Sequence, residues 1–199
     1  MILIAAVSLV LGVACGRWLF SPEAAQAVER LSEPALWLLM FSVGISVGGS
    51  REIFHKIRQY HVKVLLIPAG VVVGSCLAGA LCARLCGLPL GAAMAVTGGL
   101  GWYSLAGAMV GELAGPEAGS VAFLSNLMRE MASFALIPLL VKHLNPYTAI
   151  APAAATSEDT TLPMMIKYTS GDVVIMSVVN GVICSAAAPL LMNLFCRLL

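Results

Sequence analysis

The sequence predicts an all-α integral membrane protein, a bundle of about six or seven transmembrane segments with at least one discontinuous helix. Three observations carry that prediction. Sixty per cent of the 199 residues are hydrophobic, and the mean hydropathy is +0.96. Only 11% are charged, against about 25% in a soluble domain. The apolar residues lie in continuous runs of helix-spanning length, not in the roughly ten-residue alternating segments of a transmembrane barrel. The net charge of +1 leaves no basic footprint for nucleic acid. No linker or low-complexity stretch interrupts the chain, so residues 1–199 read as a single transmembrane domain.

The candidate spans are 2–20, 33–49, 62–86, 88–112, 118–141, a broken segment over 147–168, and 171–197. No basic residue precedes the first run, and Arg17-Trp18 stands where small residues would mark a cleavage site, so it reads as a retained helix and not a signal peptide. Between the second and third spans, "SREIFHKIRQYHVK" holds Arg51, Lys56, Arg58 and Lys63. The positive-inside rule places this segment in the cytoplasm, and with it the N-terminus. Ile53, Phe54 and Ile57 suit a short interfacial helix there. Glycines four apart, at Gly12/Gly16, Gly44/Gly48, Gly70/Gly74 and Gly107/Gly111/Gly115, let helix backbones approach closely in lipid. The six cysteines, Cys15, Cys76, Cys82, Cys86, Cys184 and Cys196, fall in or beside spans and read as packing residues. Cys82 and Cys86 are one turn apart but lack further ligands nearby, so neither a metal nor a cofactor is expected.

Two stretches do not read as ordinary spanning helices. In "TGGLGWYSLAG", residues 97–107, Gly98, Gly99 and Gly101 each weaken a helix by roughly 1 kcal/mol. Trp102, Tyr103 and Ser104 follow directly. The stretch fits either a kinked helix with an aromatic anchor or an unwound point whose free backbone groups face a cavity. In "APAAATSEDTTLPMM", residues 151–165, a polar knot from 156 to 161 separates two apolar pieces, as in a discontinuous helix. Pro163 suits the first turn of the second piece, with Thr160 or Thr161 as its N-cap. Its N-terminus would then offer N–H groups to an anion, while Glu158 and Asp159 attract a cation. The alternative is a solvent-exposed acidic loop. Broken helices of this kind build the midplane sites of secondary transporters.

The third stretch, "SNLMREMASF" at residues 125–134, puts charges inside an apolar run, where each costs a few kcal/mol. Ser125, Asn126, Arg129 and Ser133 form one helical stripe, with Glu130 about 100° round from Arg129. The economical arrangement turns this stripe inward and sets a carboxylate from Asp159, Glu158 or Glu112 beside Arg129.

With "GGLGWYSLAG", "FLSNLMREMASFALIPLL" and "ATSEDTTLP" in that order, the chain resembles the lysine exporter family of the LysO type, from about Gly44 onward. The resemblance implies a multi-pass inner-membrane exporter of L-lysine that also passes the analogue thialysine, exchange for protons, and no enzymatic role. One-piece members carry further N-terminal spans, and split versions exist, which implies a small separately encoded membrane subunit or a homodimer as partner. Of two intramembrane acidic residues implicated in the family, one matches Asp159. The other falls on Asn126, which is not acidic, leaving Glu130 or Glu158 to supply the missing carboxylate.

On this reading Asp159 holds either a substrate ammonium or a proton, because burial of a carboxylate favours its protonated form. Ser125, Asn126 and Thr160 are uncharged partners, and Arg129 is an orienting charge or carboxylate clamp. Gly99 and Gly101, beside Tyr103 and Ser104, let backbone approach the substrate. A passive channel or a structural subunit remains the alternative. An intramembrane hydrolase is disfavoured: no nucleophile elbow, zinc-protease or paired-aspartate motif is present, and His55, His61 and His143 avoid the polar core stretches.

Overall fold

The protein is seen in a computed structural model that describes residues 65–198 continuously, the stretch 14–21, and isolated positions elsewhere before residue 65. The basic segment 51–63 with its expected interfacial helix lies outside the described residues, as does nearly all of the span 33–49. The chain forms two compact units, Met1–Val43 and Gly44–Leu199. In the first, Cys15–Leu19 is a single π-helical turn closed by the Phe20 N–H on the Cys15 carbonyl at 2.9 Å.

The second unit is built from helices, with no strand among its described residues. Helix α1 (Leu66–Cys86) ends at Gly87, whose φ of 67° is the left-handed cap that glycine takes without strain. The segment expected at 88–112 is two helices, α2 (Leu90–Gly98) and α3 (Tyr103–Ala114). Helix α4 (Pro116–His143) follows after Gly115. The segment expected at 147–168 is also in pieces: α5 (Ile150–Ala153), a 3-10 turn over Ala154–Glu158, and α6 (Leu162–Tyr168). Helix α7 (Gly171–Cys196) completes the unit. Helices α1, α4 and α7 are long and apolar enough to cross a membrane unaided. The two segments singled out by glycine clustering and by the polar knot are the two that break.

Packing follows side-chain size. Helices α3 and α4 close into a hairpin on glycines: a Cβ added to Gly119 would fall 2.5 Å from the Gly111 Cα and 2.7 Å from the Gly107 carbonyl oxygen. The expected small-residue contact therefore holds at Gly107 and Gly111. Among the described residues it does not hold at Gly70, Gly74 or Gly115, where an added Cβ meets nothing within 4 Å. Ile137, Ile150, Met165 and Val179 join α4, α5, α6 and α7 in one buried apolar cluster. That cluster seats the second broken segment against both long helices.

Candidate functional site: two crossed breaks and their polar staples

The two interruptions meet. The chain unwinds at Leu100 (φ 50°) and Gly101 (φ 92°) in the first, and at Ala154 (φ 50°) in the second. The Ala155 N–H donates to the Leu100 carbonyl at 3.0 Å, tying one break to the other. Glycine is required at position 99, where a Cβ would lie 2.6 Å from the Ala106 Cβ and 2.7 Å from Asn126 Nδ2.

Each break is held by an asparagine on a long helix. On α4, Asn126 Oδ1 accepts from the Gly101 N–H at 2.7 Å. Its Nδ2 donates to the Val96 and Ala122 carbonyls, both at 2.8 Å. On α7, Asn180 Nδ2 donates to the Ala154 carbonyl and to Ser157 Oγ, both at 3.0 Å. Ser157 and Ser177 then exchange hydroxyl-to-carbonyl bonds at 2.8 Å in each direction. Unwound backbone at membrane depth survives only when its polar groups find partners inside the protein. These two side chains supply them. Asn180, Ser177 and Ser157 were not among the expected site residues, although Asn180 interrupts an otherwise apolar span much as Asn126 does.

The carboxylates gather beside the breaks. Glu130 is 1% exposed, and neither of its carboxyl oxygens has a hydrogen-bond partner among the described residues. The Thr160 hydroxyl lies beside it but outside hydrogen-bonding geometry, and it too is unpaired. Asp159 is within electrostatic reach of Glu130 and Tyr103. It is exposed, with its carboxylate accepting from the Thr160 N–H. Half-buried Glu158 accepts from Ser185 Oγ at 2.7 Å, and a Cβ on Gly181 would strike the Glu158 backbone nitrogen at 2.6 Å.

Several expected placements need correction. Arg129 makes no described hydrogen bond to a carboxylate. Its Nη1 donates to Ser75 Oγ at 2.8 Å, its Nε to the Pro152 carbonyl at 3.1 Å, and its Nη2 to the Ala151 carbonyl at 3.3 Å. The inward edge of α4 runs through Asn126, Glu130 and Ser133, whereas Ser125 is exposed and Arg129 only half-buried. The stripe is thus rotated toward Glu130. Thr161 stands at the start of α6, but its hydroxyl donates to the Thr156 carbonyl at 2.9 Å and does not cap the helix. Tyr103 stacks edge-on with Phe123 at 5.4 Å, and Ser104 is exposed on α3 away from the described bonds.

The family model of the lysine exporter LysO matches residues 6–196. The chain belongs to the LysO family. It is 35% identical over 170 residues to the lysine exporter LysO of Escherichia coli, a match covering 85% of this chain and 56% of that protein. A Haemophilus influenzae protein, described provisionally as a lysine exporter, is 31% identical over 189 residues, 95% of this chain and 93% of that protein. The chain therefore spans little more than half the length of the E. coli LysO. No solved structure matches. In this LysO-family chain, backbone groups and carboxylates converge beside the crossed breaks.

Proposed function

We propose that the protein exports L-lysine, and analogues such as thialysine, across the inner membrane in exchange for protons. One observation carries the reading: a buried Glu130 carboxyl, without a hydrogen-bond partner among the described residues, stands within electrostatic reach of Asp159 beside the two interrupted helices. A buried carboxyl without a partner holds a proton or awaits a cation, because an isolated buried anion is strongly disfavoured. Asp159, at the exposed edge of the same group, is the carboxylate that meets an incoming ammonium. Glu158 flanks it, and Thr160 lies between the two acids.

The energetics favour exchange over simple outward release. Moving one positive charge out against ~100 mV costs about 2.3 kcal/mol. An inward proton cancels that charge movement and adds the pH gradient as driving force. The relatives named as lysine exporters support the substrate. A homodimer or a separately encoded small membrane subunit completes the transporter on this reading.

The test is lysine flux in liposomes carrying the purified protein and an imposed pH gradient. Wild type is expected to accumulate lysine uphill on the acidic side. Asp159→Asn keeps the side-chain shape but cannot titrate, and is expected to abolish that accumulation while the melting temperature holds. Wild-type flux in Asp159→Asn would remove Asp159 from the role. Downhill flux that never accumulates lysine would give the protein to the passive-channel reading.

A further inference from the structure

A cavity of about 360 Å³ is lined by Gly70, Gly74 and Ser75 of α1, by Arg129 of α4 and by Ala151 and Pro152 of α5. Its volume falls within the range of small-ligand sites, about 300–1,000 Å³. We infer that this cavity binds the carboxylate of the transported amino acid through Arg129. The inference rests on the amino-acid export reading and names which end of the substrate goes where.

The charge of Arg129 is the first reason. A half-buried guanidinium is bonded here to one hydroxyl and two carbonyl oxygens, all uncharged. These supply partial charges but, among the described residues, no counter-ion, and a cation drawn out of water calls for one. A guanidinium has five N–H donors. Three are engaged, which leaves one on each terminal nitrogen for a carboxylate.

The second reason is the room around it. Gly70 and Gly74 have the spacing of a helix-packing pair, yet an added Cβ at either meets nothing within 4 Å among the described residues. Their missing side chains make the cavity and leave the guanidinium reachable. Ser75 is 7% exposed and accepts from Arg129, so its own hydroxyl proton is left to donate to a ligand. Thr97 is committed elsewhere, to the Ala93 and Met94 carbonyls.

The third reason is the position of the cavity relative to the acids. Arg129 binds the carbonyls of Ala151 and Pro152, and one 3-10 turn later the chain reaches Glu158 and Asp159. A Cβ on Gly101 would lie 3.8 Å from both Arg129 Cδ and Thr156 Cγ2, so the guanidinium stem borders the crossing itself. A cation and carboxylates that both border the broken segment match the opposite charges of an amino acid's two ends. A diamine without a carboxylate lacks half of this recognition.

The experiment measures ligand-induced thermal stabilisation of the purified full chain by L-lysine, L-lysinamide and inorganic phosphate. Lysinamide keeps the ammonium groups and the shape but has no carboxylate. Wild type is expected to bind lysine about 10- to 100-fold more tightly than lysinamide, the scale of one charge-assisted pair. Arg129→Gln is expected to bring lysine down to the lysinamide level and leave lysinamide unchanged. Gly74→Leu fills the cavity from an open position, and is expected to lose lysine binding even if Arg129→Gln fails to fold. Equal binding of lysine and lysinamide by wild type, or an undiminished lysine preference in both variants, overturns the inference and leaves lysine export standing. Stabilisation by phosphate that needs Arg129, without discrimination between lysine and lysinamide, assigns the cavity to a phosphate group and also overturns it. Binding of neither amine by wild type defeats the export reading and this inference together.

Discussion

Asn126 shows how much one side chain can settle. Its carboxamide accepts from one backbone N–H and donates to two carbonyls, so its described bonds tie α4 to α2 and to the break at Gly101. Asn126→Asp would set a carboxylate oxygen against the Val96 and Ala122 carbonyls in a site that is 2% exposed. The variant is expected to melt lower, losing more than the roughly 1–3 kcal/mol of an unmatched buried polar group. Whatever transport survives should keep the wild-type pH profile. A shifted pH profile at unchanged melting temperature would show instead that position 126 faces the transport site. The polar stripe was legible in the sequence as a stripe, but its rotation was not. Adjacent residues sit about 100° apart on a helix, and no spacing rule says whether Arg129 or Glu130 turns inward. The carboxylate expected beside Arg129 is replaced by carbonyl oxygens for a related reason. A half-helix as short as α5 leaves its C-terminal carbonyls unpaired, and a guanidinium satisfies them as well as an acid would.

At the level of elements, both breaks were readable from local chemistry. Clustered glycines weakened one helix, and a polar knot before Pro163 divided the other. What holds each break in shape was not readable, because Asn180 and its serines act across 20 to 26 residues of sequence. Two glycine substitutions separate these contributions. Gly181→Ala would press a methyl group to 2.6 Å from the Glu158 nitrogen and Cβ, and is expected to destabilise by about 1–3 kcal/mol. Gly74→Ala meets open space, and should leave stability unchanged or raise it slightly through helix propensity. Melting curves for the two proteins check both. Equal losses would mean that the seat of the second break yields and that Gly181 does not set it.

For the whole molecule, hydropathy alone identified an all-helical membrane protein, since continuous apolar runs admit few other architectures. Orientation rests on four basic residues, Arg51, Lys56, Arg58 and Lys63. In a background lacking the six native cysteines, Gln59→Cys is expected to resist an impermeant thiol reagent added outside intact cells and to react once the cells are opened. Labelling from outside would invert the topology.

The Ala155-to-Leu100 bond turns two loose strands of backbone into one pivot. Displacing either turn alone strands a donor and an acceptor where no water can relieve them, at about 1–3 kcal/mol each. Displacing both together strands neither. Such a pivot favours two whole positions over any half-turned one, in the manner of a revolving door whose leaves share an axle.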